Sequence, residues 1–121
     1  MLPSRDLDWA VWTGADDLVP AAGGGRLLRP TGPTLGATYL RAADLIVTPA
    51  LSVARSGQRL GRGGGSYDRA LRRAMPTTAT VALVYDGELV PALPADDWDV
   101  PVRAAITPAL GWTDLPAIRE N

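Results

Sequence analysis

The sequence predicts an α/β domain built on a mostly parallel sheet flanked by helices, and three observations predict it. Leu45–Val47 and Thr80–Tyr85 are short, continuous apolar runs of the kind shown by parallel strands buried on both faces. Between them, Tyr67, Leu71, Ala74 and Met75 recur at helical spacing, so the order strand, helix, strand reads as a βαβ unit. The chain has 121 residues, 46% of them hydrophobic, and a formal net charge of -1. That describes one domain, residues 1–121, large enough to enclose a core.

Taken in order, Leu7–Thr13 alternates Leu7, Trp9 and Val11 against Asp8, Ala10 and Trp12, which predicts a half-buried strand. Gly14–Pro33 is rich in glycine and proline and reads as loop, with one short helical turn near Asp17. Leu40–Ala43 reads as a turn of helix before Asp44, and Pro49 ends the strand that follows. The connection from Pro49 to Arg59 is long for its lack of predicted structure. Such loops at strand C-termini are where open α/β sheets hold their ligands. Pro76 stops the helix begun at Tyr67. On that helix Arg69, Arg72 and Arg73 share one face, which reads as solvated. Glu88–Leu93 reads as a turn, Ala104–Thr107 as the last strand, and Pro108–Asn121 as a tail in which Trp112 and Leu115 fold back on the sheet.

The chemistry concentrates in Gly57–Asp68. Four glycines, Gly61, Gly63, Gly64 and Gly65, fall within five residues, between Arg59 with Leu60 on one side and Ser66, Tyr67 and Asp68 on the other. Glycine lets backbone N–H groups approach a ligand closely, and the first turn of a helix leaves N–H groups that favour an anion. Arg59 and Arg62 supply fixed positive charge, and Asp68 is a hard oxygen ligand of the kind Mg²⁺ prefers. The set suits a polyphosphate with its metal. The bland alternative is a flexible loop, and the named nucleotide motifs do not decide against it. A Walker loop requires lysine, which the chain lacks, and the dinucleotide fingerprint fails where Ser66 stands.

Composition removes other chemistries. With no histidine, the commonest general base and the commonest zinc ligand are missing. With no cysteine there is neither disulfide nor thiol chemistry, in keeping with a cytoplasmic location. There is no basic excess for nucleic acid and no apolar run long enough to cross a membrane. Carboxylates, tyrosines, hydroxyls and a borrowed metal remain.

The ordered residues Asp44–Pro49 and Gly57–Arg69 resemble the signature of the 5-formyltetrahydrofolate cyclo-ligase family, roughly D-hydrophobic-hydrophobic-x-P, then G-x-R-L-G-x-G-x-G-[YF]-Y-D-R. The resemblance extends from about Leu7 to Thr107 and covers only the later part of the family's usual length. It implies a core akin to the NagB, ribose-phosphate isomerase and CoA-transferase class, without the family's N-terminal helical region. It implies ATP-driven closure of 5-formyltetrahydrofolate to 5,10-methenyltetrahydrofolate, with Mg²⁺. By position, Arg59, Leu60, Gly61, Arg62, Gly63, Gly64, Gly65, Ser66 and Tyr67 fall on the ATP-phosphate loop. Arg62 and Tyr67 fall where the chemistry occurs, and Asp68 and Asp99 on the metal-binding aspartates.

Two departures shape the expectation. Ser66 replaces the first of two aromatics before the signature Asp, removing a surface for stacking on a pterin. Arg29 stands where the family has an acid, and reads as an exposed loop residue. The missing front end implies weak nucleotide binding and little turnover by this chain alone, the absent part coming from upstream sequence or a second polypeptide. An exposed apolar surface would then favour self-association into a homo-oligomer. The alternative function is a non-catalytic module that keeps the loop to bind phosphate, nucleotide or a partner.

Overall fold

The computed structural model describes residues 6–21, 26–61, 65–94 and 99–115. The elements are β1 (Leu18–Pro20), β2 (Leu28–Pro30), β3 (Leu45–Pro49), β4 (Ser52–Ala54), β5 (Arg59–Leu60), α1 (Ser66–Arg72), β6 (Ala79–Leu83), β7 (Leu89–Val90), β8 (Ala104–Thr107) and β9 (Gly111–Asp114). Short 3₁₀ turns cover Ala15–Asp17, Ala37–Ala42 and Asp86–Glu88. The fold is mixed α/β.

The main sheet has the order β3-β6-β8-β9. β3 runs parallel to β6 with Val47 opposite Val81, β6 runs parallel to β8 with Ala82 opposite Ala105, and β9 returns antiparallel to β8. The predicted βαβ unit is therefore β3-α1-β6. The helix begins where Gly65 takes the left-handed conformation (φ 75°) that glycine adopts without strain. It ends at Arg72, short of the predicted Met75, because a residue before proline disfavours helical backbone.

One sheet face is packed, and the other is exposed along β3 and at the end of β6 but buried between them. Ile46, Ala82 and Ala105 join Ala70 and Leu71 of α1, Val53, Val84 and Val102 in a single buried cluster. On the opposite face Leu45, Val47 and Leu83 are about half exposed, whereas Val81 and Ala104 are fully buried. The expectation of strands buried on both faces holds for the middle of β6, and it is corrected for β3, as is the expectation of several flanking helices. Among the described residues there is one α-helix, and β3 alternates exposed and buried positions along its length.

Three further expectations change. Leu7–Thr13 pairs with no strand among the described residues. Leu7 and Trp9 do pack on the core, but the segment is fastened through loop contacts, with Leu35 N–H donating to the Trp9 carbonyl at 2.7 Å and Gly36 N–H to Asp8 Oδ1 at 2.9 Å. The Gly14–Pro33 loop contains the antiparallel pair β1-β2, whose three-residue strands are too short for an alternation to register. The tail supplies strand β9, which buries Leu115 just beyond it and leaves Trp112 half exposed.

Above the carboxyl ends of the parallel strands lies a small sheet, β5-β4-β7. It gives structure to the Pro49–Arg59 connection and to the predicted Glu88–Leu93 turn. β4 and β5 form an antiparallel hairpin, and β7 joins β4 in parallel.

Candidate functional site

The hairpin turn depends on Gly57. Its φ is +95°, and a Cβ there would stand 2.4 Å from the Val102 carbonyl oxygen, so no side chain fits. Gly57 N–H donates to the Ala54 carbonyl at 2.8 Å, and its own carbonyl accepts from Val102 N–H at 2.9 Å. This stitches the segment after Asp99 to the loop that carries Arg59.

Arg59 leaves β5 into a cavity of about 290 Å³, lined by Pro49, Ala50, Leu51, Arg59, Gly61 and Tyr67. Its side chain is only 5% exposed. Nη1 donates to the Pro49 carbonyl at 3.1 Å, Nη2 lies 3.8 Å from Asp68 Oδ1, and the guanidinium stands 5.4 Å from the centre of the Tyr67 ring. Nε is buried with no hydrogen-bond partner among the described residues. A buried donor left unsatisfied costs about 1–3 kcal/mol, more when charged, so an anion arriving here would meet a group prepared for it. Gly61 supplies the room: a Cβ there would lie 3.0 Å from Arg59 Nη1.

Asp68, in the first turn of α1, bridges two segments. Its Oδ1 faces Arg59 and also accepts from Val100 N–H at 3.2 Å. That bond places the backbone of Val100, the residue after Asp99, against the Asp68 carboxylate. Asp99 is half buried. Among the described residues no group of three or more acidic ligands forms. Mg²⁺ is commonly held by one or two carboxylates with phosphate and water supplying the remainder, and Asp68, beside Arg59, is a donor of that type.

The remaining sequence-selected residues divide plainly. Leu60 is about half exposed on β5, Gly65 caps α1, and Tyr67 lines the cavity. Ser66 is buried at 7% exposure, so this position offers no stacking surface. Arg62, Gly63 and Gly64 lie outside the described residues. Arg29, on β2, is exposed as expected. With seven residues α1 is a short helix, so the positive character of the site rests on Arg59 more than on a helix terminus. Sequence reasoning missed Pro49, whose carbonyl aims Arg59, although its place closing the strand motif was a usable signal. It also missed Val102 and Val100, whose backbone roles leave no mark on residue type.

The 5-formyltetrahydrofolate cyclo-ligase family model matches residues 2–108. A 5-formyltetrahydrofolate cyclo-ligase of Mycolicibacterium smegmatis is 46% identical over 85 residues, covering 70% of this chain and 44% of its own. One from Escherichia coli K12 is 41% identical over 70 residues, covering 57% and 38%. The chain thus spans less than half the length of these curated relatives. The solution structure of Aquifex aeolicus 5,10-methenyltetrahydrofolate synthetase superposes with a TM-score of 0.73 at 25% identity, over 100% of this chain and 59% of that one.

Proposed function

The chain belongs to the 5-formyltetrahydrofolate cyclo-ligase family, and on that premise we propose that residues 1–121 form the nucleotide-binding portion of an enzyme that closes 5-formyltetrahydrofolate to 5,10-methenyltetrahydrofolate at the expense of ATP. The relatives are named for this conversion. The observation that carries the reading is the buried Arg59 guanidinium, whose Nε has no hydrogen-bond partner among the described residues, at the cavity it lines. We assign the sheet to the NagB, ribose-phosphate isomerase and CoA-transferase class of cores and the chain to the cytoplasm.

In this reading the formyl oxygen attacks the γ-phosphorus of ATP and ADP leaves. N10 of the folate then attacks the activated formyl carbon, and the bound phosphate departs as the ring closes. Reactions of this kind ask a protein chiefly for alignment and neutralisation of charge. Arg59 holds the phosphate chain through Nε and Nη2, fixed in direction by the Pro49 carbonyl. Tyr67 supports the guanidinium from its ring face and borders the reacting groups, with Arg62 as a second cation and the loop Leu60–Ser66 as backbone donors. Asp68 and Asp99 would hold Mg²⁺, which when bound offsets the negative charge of the phosphates. Asp68 also balances Arg59 while the site is empty.

Arg59→Ala tests the assignment. Isothermal titration with Mg-ATP is expected to show a loss of about 1.5–3 kcal/mol, the worth of a hydrogen bond to a charged group. An unchanged dissociation constant removes Arg59 from the phosphate site.

The chain spans less than half the length of the curated relatives it matches. We therefore expect weak Mg-nucleotide binding and little turnover from the 121-residue chain alone, the rest of the site coming from the part of the family that this chain does not span. Robust cyclo-ligase turnover by this chain at verified mass contradicts that expectation. The second reading, a non-catalytic phosphate- or partner-binding module, is favoured by Ser66, which presents no stacking surface.

A further inference from the structure

The two outer strands of the main sheet differ in chemistry. One is β9, which ends in the exposed Asp114, and a charged side chain on an outer strand discourages a further strand from pairing there. The other is β3, whose residues Leu45–Pro49 include no charge. Among the described residues β3 pairs with β6 alone.

The register fixes which backbone groups of β3 are left over. Ala79 N–H donates to the Asp44 carbonyl at 3.0 Å. In this parallel ladder Asp44, Ile46 and Thr48 therefore turn their backbone groups toward β6, and Leu45 and Val47 turn theirs away. Pro49 does not extend the free row, because it has no N–H and its carbonyl accepts from Arg59. A cavity of about 370 Å³ borders the strand here. Its walls include Ile46 from the packed face and Leu45 and Val47 from the opposite one, so it follows the strand edge, with Trp9, Val11 and Tyr39 completing it. None of its described lining residues is charged. Val11, Tyr39, Leu45 and Val47 are all about half exposed or more.

We infer that this edge binds a second copy of the chain, the two β3 strands pairing antiparallel about a two-fold axis at Ile46. Leu45 of one copy then lies opposite Val47 of the other, and the two exchange N–H and C=O bonds. The same pairing sets the half-exposed Leu45 and Val47 side chains against each other across the strands. A two-fold contact lays a patch on itself, which a charged patch resists and this uncharged one allows. It is also closed: β3 on β3 occupies the uncharged edge of each sheet, and Asp114 on β9 opposes growth into a filament.

Amide hydrogen exchange of the 121-residue chain, read by NMR over a dilution series, tests the contact. We expect the Leu45 and Val47 amides to slow by about tenfold from dilute to concentrated samples, while the Ile46 amide, turned toward β6, stays equally protected throughout. Val47→Pro deletes an edge N–H and spares the β6 ladder; it is expected to weaken dimerisation by about tenfold or more in light scattering. Should that variant fail to fold, Val47→Lys places a charge on the edge and carries the same expectation. Leu83→Thr, on the same sheet face but on the interior strand β6, is expected to leave the dimer intact. Fast exchange of Leu45 and Val47 at every concentration overturns the inference. Equal protection at every dilution overturns it as well, since the edge is then covered by something other than a copy. Loss of association in Leu83→Thr to the extent seen in Val47→Pro replaces edge pairing with stacking of sheet faces and overturns it too.

Discussion

At the scale of single residues, two positions of one glycine-rich stretch do different work. Gly61 leaves room for the Arg59 guanidinium, while Gly57 holds the loop to Val102. Gly57→Ala combines a positive φ with a backbone collision, and each alone is unfavourable. We expect it to destabilise the chain by about 2 kcal/mol or more, measured by urea unfolding. A loss within a few tenths of a kcal/mol would mean that the 54–58 turn can relax into another conformation. Arg59 illustrates a different limit. Its charge and position in the loop were legible from the signature; that its Nε lies buried, with no partner among the described residues, depends on Pro49, Asp68 and Tyr67 converging on it.

At the scale of elements, α1 is held by Ala70 and Leu71 against Ile46, Ala82 and Ala105, and little else in the helix is buried. So short a helix is unstable by itself in water and persists through this packing. Leu71→Ala should therefore cost about 2–5 kcal/mol and also loosen the Asp68–Val100 bond at the other end of the helix. Faster amide exchange of Val100 in that variant, in proportion to the drop in thermal stability, would verify the link. Val100 protection unchanged alongside clear destabilisation would show the rim to be independent of the helix. The main strands and the helix were readable because long apolar or helical periodicity is a strong signal. β4, β5 and β7 were not, since two or three residues carry no period and pair only once the loops have folded together.

At the scale of the whole molecule, the half-exposed side of β3 and the end of β6 dominate. Leu45, Val47 and Leu83 are each about half exposed on one side of the sheet, an apolar surface of the kind that soluble domains usually cover. We expect Leu45→Thr with Val47→Thr to reduce concentration-dependent association in sedimentation velocity, at a stability cost of about 1 kcal/mol per side chain for the half-buried apolar surface lost. Association identical to that of the parent chain would show this face to be unused between copies.

From sequence alone came the α/β class and the β3-α1-β6 unit, because each is written in residue type or in periodicity along the chain. Only the tertiary structure decided that β3 leaves Leu45 and Val47 half exposed, that Leu7–Thr13 is fastened by loop contacts without joining a sheet among the described residues, and that Val100 bonds to Asp68. These facts are set by which segments arrive beside one another, and distance in space has no signature in the local order of side chains.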